Sequence, residues 1–237
     1  MKDKDELKGS NSLFLIPLSF VCLIWFIYWV EINFGLNFNK YGVYPRTLKG
    51  SVGILFSPFI HSDTSHLFNN SIPLFVLSSI LFFFYNKVAY RVLIYGGLLT
   101  GLLTWLIARE AHHIGASGVV YLLFSFTFFS GIIKKHFRLI AVSLVIIFLY
   151  GSMVWYVLPI KEGMSWEGHL SGFLIGSFFS FLYRKEGIVK ENFEFSKTEF
   201  DEMFDEEGNY LAPEIINEEE LESLKQINYK YIYIEEE

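Results

Sequence analysis

Cysteine is nearly absent from this chain. Cys22 is the only one in 237 residues, so no internal disulfide can form. It sits in an apolar run with no basic neighbour, which makes it a poor nucleophile. Charge is also scarce, at 19% of residues. No internal repeat is visible, and with it goes the signature of an inverted-repeat transporter. A cleavable signal is missing too. The first apolar stretch, Leu13 to Val30, exceeds the roughly 7–15 residues of a signal core, and no small-residue cleavage site follows it. It reads as a retained helix.

Apolar residues are abundant: 52% of the chain is hydrophobic and 19% aromatic. They come in long blocks, at about 12–33, 66–85, 91–108, 117–133, 139–159 and 168–183. A bilayer crossing takes about 20 mostly apolar residues. The expectation is an all-α membrane protein with six transmembrane helices over residues 12–183. A short cytoplasmic segment, 1–11, precedes the bundle, and an acidic cytoplasmic C-terminal tail, 184–237, follows it. The tail carries 6 Lys/Arg against 17 Asp/Glu, a net of −11, whereas residues 1–183 carry 13 basic and 8 acidic, a net of +5. Within the tail, Pro213 to Ile227 has the pattern of a short amphipathic helix.

With the N-terminus inside, the cytoplasmic pieces hold ten Lys/Arg and the outer pieces five. This positive-inside bias puts both termini in the cytoplasm. Spans four and six then look short. Gly118–Ile133 and Leu170–Tyr183 measure about 24 Å and 21 Å at 1.5 Å per residue. The polar pieces before them, "REAHHIGAS" and "EGMSWEGH", should dip below the outer surface. Irregular backbone at that depth must be buried in protein or line a wet cavity, so a water-filled cavity opening outward is expected.

Polar groups inside spans are costly and mark functional candidates. His66 and Asn70 begin span two, Ser117 begins span four, and His169 begins span six. These three spans all run inward, so the four groups lie at similar depth on the outer side. His66 and Asn70 share a helix face, as do Ser117 and Tyr121, at i, i+4. Gly168, Gly172 and Gly176 repeat every fourth residue beside His169, a spacing that lets helices approach closely. A serine with an adjacent imidazole can attack a carbonyl. His66, the Asn70 amide and the Ser117 backbone N–H can stabilise the resulting oxyanion. Singly each motif is weak, and a G-x-S-G in an apolar helix is usually inert. The combination is what carries the reading.

These residues resemble the rhomboid family of intramembrane serine proteases. "HSDTSHLFNN" resembles the family's H-x-x-x-x-H-x-x-x-N, "GASGVVY" its G-x-S-G with a tyrosine four residues on, and "GHLSGFLIG" its H-x-x-G-x-x-x-G. At Gly168 the family more often has alanine. The resemblance implies a six-helix rhomboid bundle in which Ser117 is the nucleophile and His169 the general base. Tyr121 would pack on the His169 ring, and His66 and Asn70, with the Ser117 amide, would form the oxyanion hole. His61 would order the entrance to the second helix, with Gly115, Gly118, Gly172 and Gly176 in support. The implied activity is cleavage of single-span membrane-protein substrates in the bilayer, with no metal, organic cofactor or nucleic-acid partner. The implied location is the plasma membrane, and the composition suggests a bacterium. The first outer loop, "YPRTLKG", lacks the Trp-Arg pair common in the family. His112 and His113 fall outside the motifs and read as cavity-lining or interfacial. The alternatives are an inactive relative that binds membrane clients, and a metal or proton transporter built on the histidines. The first usually lacks the serine or histidine present here. The second would need polar groups through the inner half, where spans two, four and six turn apolar.

Overall fold

The computed structural model describes residues 12–160, 163–187, 198 and 200–211. α1 (Ser12–Asn33) is apolar on all sides, as befits a helix surrounded by hydrocarbon. A long connecting segment follows. It contains two one-turn helices, α2 (Leu48–Ser51) and α3 (Gly53–Phe56), and a 3-10 turn at Ser57–Phe59. Then come α4 (Thr64–Phe84), α5 (Asn86–Ile107), α6 (Ser117–Lys134) and α7 (Phe137–Tyr150), a 3-10 helix over Gly151–Val157, and α8 (Trp166–Leu182). The described residues contain no strand, only two isolated bridges, Val43 with His113 and Phe204 with Tyr210.

Four helices, Leu13–Asn33, Thr64–Phe84, Asn86–Ile107 and Ser117–Lys134, are long and apolar enough to cross a membrane. Side chains such as Phe14, Phe26, Trp29, Leu144 and Phe148 lie exposed on the helix surfaces. That much exposed apolar surface suits hydrocarbon and would aggregate in water. The fifth apolar segment differs from expectation. α7 ends at Tyr150, and the chain continues as the 3-10 helix instead of one span to residue 159. Gly151, a poor helix former, stands at the change. The sixth helix begins earlier than expected, because Trp166 to His169, read as part of a dipping polar piece, form its first turn.

α6 is the most enclosed of the four long helices and packs on α4, α5, α7 and α8. Its contact with α8 is backbone on backbone. A Cβ on Gly172 would overlap the Gly118 carbonyl oxygen, and one on Gly176 would overlap the Leu122 carbonyl and the Ser125 hydroxyl. Gly131 packs against Ser143 and the Leu139 carbonyl of α7 in the same way. Lipid tails are as apolar as leucine, so close van der Waals contact of this kind, not expulsion from water, holds membrane helices together.

The connecting segment before α4 is tied to α5 by an arginine and a tryptophan. Arg46, at φ 56°, donates from Nη1 to the Ala108 and Leu106 carbonyls at 2.8 and 3.3 Å. The Trp105 indole donates to the Thr47 carbonyl at 3.0 Å. The arginine thus satisfies carbonyls at the C-terminal end of α5 that the helix leaves open.

The described residues beyond 190 belong to a second compact unit. Within it Phe204 pairs with Tyr210 around a turn held by the Asp205 carboxylate, which accepts from the Glu207 and Asn209 amides. The expected helix over Pro213–Ile227 and the segment 1–11 lie outside the described residues.

Gly172→Ala should force α6 and α8 apart and cost about 1–3 kcal/mol, as overpacking does. Gly97→Ala, where the new methyl meets only Val119 at 3.9 Å, should be neutral or gain up to about 1 kcal/mol of helix propensity. Melting temperatures of the two variants in detergent micelles check the contrast.

Candidate active site

Buried serines are common in these helices. Ser71, Ser78, Ser125, Ser143 and Ser171 each donate to the carbonyl four residues back. That bond occupies the hydroxyl and keeps it inert. Ser117 has no such partner, because it is the first residue of α6. Its hydroxyl instead lies 2.9 Å from His169 Nε2.

The other nitrogen of that ring decides the direction of the bond. His169 Nδ1 lies 2.9 Å from the Tyr156 carbonyl oxygen. A carbonyl only accepts, so Nδ1 carries the proton in the neutral ring. Nε2 is then a bare lone pair, and Ser117 Oγ–H donates to it. Tyr121 lies flat on the same ring, with centroids 4.3 Å apart and planes at 10°. The imidazole is thus held at both its edge and its face.

The approach to Ser117 is equally constrained. Gly115 adopts φ +105°, a backbone region that disfavours side chains. A Cβ there would sit 2.6 Å from His66 Nε2 and 3.5 Å from Asn70 Nδ2. The Gly115 amide donates to the Ser57 carbonyl at 2.9 Å. Asn70 Nδ2 is buried and makes no hydrogen bond among the described residues, a donor in reserve beside the serine loop. α4 presents His66 and Asn70 because Asp63 caps its first turn, accepting from the His66 amide at 2.8 Å. The capping interactions hold the Asp63 carboxyl below its usual pKa. As the first residue of α6, Ser117 also offers an amide at the positive end of a helix.

His61 is buried, with Nε2 accepting from the Ala116 amide at 3.4 Å. Burial, reinforced by the neighbouring His66, lowers its pKa to about 4. Gly118 faces Thr100 and the Gly168 carbonyl. A small cavity of about 30 Å³ adjoins Ser117, lined by Thr100, Thr104, His113, Gly115 and Gly168 among others. That is room for about two water molecules. The two leading histidines separate. His113 is buried on the cavity wall, whereas His112 is exposed beside the Tyr44 ring at 5.0 Å.

Four contributors lay outside the motif reading. The Tyr156 carbonyl is a backbone group and has no sequence signature. Arg109, Ser165 and Glu167 form a polar cluster just outside the dyad. Glu167, a charge at the head of an apolar segment, was the one legible signal, since an ion there demands a partner.

A family profile described as the Rhomboid domain matches residues 49–186. The chain belongs to the rhomboid family. Uncharacterized proteins of Mycobacterium tuberculosis and Mycobacterium bovis are 31% identical to it over 169 residues, covering 67% of this chain and 70% of theirs. An uncharacterized protein of Mycobacterium leprae is 29% identical over 194 residues, covering 73% and 74%. Like the family, this rhomboid is an integral membrane protein, with apolar helices long enough to span.

Two outcomes are expected from this geometry. Gly115→Ala should displace the His66 ring and disturb the loop, so its melting temperature should fall below that of the parent. His61 should make stability acid-sensitive. Its folded pKa of about 4 lies below the ordinary 6.5, so the charged ring favours the unfolded chain. Stability should be intact above pH 6.5, fall as the pH drops toward 4, and level off below. Melting temperatures across that range should show the slope, and His61→Gln should make it shallower.

Proposed function

We propose that this rhomboid is an intramembrane serine endopeptidase that cleaves transmembrane segments of single-span membrane proteins. The observation that carries the reading is the His169 tautomer: a ring with Nδ1–H bound to a carbonyl and its Nε2 lone pair 2.9 Å from a serine hydroxyl. Ser117 gives its proton to Nε2 as Oγ attacks the scissile carbonyl. The oxyanion is met by the Ser117 amide, Asn70 Nδ2 and His66. His169 passes the proton to the leaving amine, and water drawn from the cavity repeats the cycle on the acyl-enzyme. No carboxylate backs the histidine; the Tyr156 carbonyl fixes the tautomer and Tyr121 fixes the plane of the ring.

In this reading six helical segments cross the bilayer: α1, α4, α5, α6, α7 with its 3-10 extension, and α8. Both termini face the cytoplasm, and the host membrane is a bacterial plasma membrane. A relative that only bound clients would have no use for a histidine held in the base tautomer.

The test is labelling of the detergent-solubilised chain with a fluorophosphonate probe, followed by cleavage of a single-span substrate in liposomes. Ser117→Ala should abolish both, and His169→Ala should lower the rate by about 10⁴-fold or more. Asn70→Ala should cost on the order of 10²–10³. Labelling that survives Ser117→Ala overturns the nucleophile assignment.

A further inference from the structure

Arg109 and Glu167 stand 58 residues apart and meet in an ion pair. Arg109 Nη1 lies 2.9 Å from each Glu167 oxygen, and the Arg109 amide donates to Oε1 at 3.2 Å. The second guanidinium nitrogen, Nη2, donates to the Met164 carbonyl at 2.7 Å. Glu167 is 2% exposed, whereas the arginine side chain reaches the surface at 44%. A buried carboxylate needs this many donors to be tolerated at all. His113 adds a second tie. Its Nε2–H donates to the Arg109 carbonyl at 3.0 Å, so Nδ1 accepts from the Ser165 hydroxyl at 2.6 Å.

The placement of these ties matters more than their number. Arg109 and His113 belong to the loop that enters α6 at Ser117. Met164, Ser165 and Glu167 belong to the segment that enters α8, and Glu167 is two residues from His169. The Gly118, Gly172 and Gly176 contacts fix how closely α6 and α8 approach, but smooth glycine surfaces do not resist sliding along or rotating about the contact. A charged, multiply bonded tie near the outer ends of both helices supplies that resistance. Neither Arg109 nor Glu167 bonds to the serine hydroxyl or the imidazole.

We propose that the Arg109–Glu167 pair, backed by His113 and Ser165, is a positioning clamp that sets the register of the Ser117 and His169 helices. The proposal rests on the dyad being the catalytic pair. Arg109 and Glu167 act as positioning residues, felt through the dyad's geometry.

The experiment uses the full chain in detergent micelles, with fluorophosphonate labelling measured over a range of probe concentrations. Melting temperature is followed in parallel. Glu167→Gln keeps the shape and removes the charge, and Arg109→Ala removes the guanidinium from its partly exposed side. Both should lower the maximal labelling rate at saturating probe by at least about tenfold, the scale of a sub-ångström misplacement. The half-saturating probe concentration should stay unchanged. Arg109→Lys, which keeps the charge and loses the Met164 bond, should recover most of the rate. Should the variants melt lower while their labelled fraction reacts at the parent rate, the pair is a structural tie and the clamp is overturned. A parent chain that never labels overturns the nucleophile reading, and the clamp with it. A parent that labels and a Glu167→Gln that labels equally fast overturns the clamp alone.

Discussion

The approach of α8 to α6 is the constraint on which the site depends. Ser117 and His169 lie on different helices, 52 residues apart, and a hydrogen bond between them needs the helix backbones nearly in touch. Gly172 and Gly176 permit it, because their missing side chains let the α8 backbone sit against the Gly118 and Leu122 carbonyls. A Cβ at either position would overlap those atoms and push the two helices apart. The geometry of the Ser117–His169 pair is therefore set by packing one and two turns further along α8.

Most buried serines within the helices close bonds on their own helix, and Arg46 and Asp63 satisfy helix ends. A few buried groups, Ser79 and Thr100 among them, have no partner among the described residues. Ser117 and Asn70 also lack a bond to their own helix, and they lie beside the Gly115 turn. Ser117 has no preceding helical turn to bond, and Asn70 keeps a buried donor unspent. An unspent donor in a low-dielectric setting is costly in the resting protein. It is also ready for an anion that arrives without water.

Much of this was legible in the sequence. Apolar blocks marked the helices, and the polar residues near their N-terminal ends marked the residues that meet. Of the three glycines at that spacing, Gly172 and Gly176 announced the close contact with α6, whereas a Cβ on Gly168 would meet Ser165 first and Thr104 further off. The end of α7 was not legible, because "GSMVWYVLP" carries no charge and prolongs the apolar run. Hydropathy does not separate an α-helix from a 3-10 helix. The start of α8 was misread because Glu167 looked like loop, whereas its charge is neutralised by Arg109, a residue distant in sequence. The segment before α4 is attached to α5 by Arg46 and Trp105, contacts that no motif announced.

The Tyr156 carbonyl holds the His169 tautomer from the main chain. Every amino acid carries that oxygen. The residue supplying it can therefore drift through evolution without loss of the contact, provided the 3-10 helix keeps its path. A comparison of related chains would show variability there, and a scan that swaps side chains one at a time would pass over it. The third participant in this arrangement is specified by a backbone trajectory and has no codon of its own.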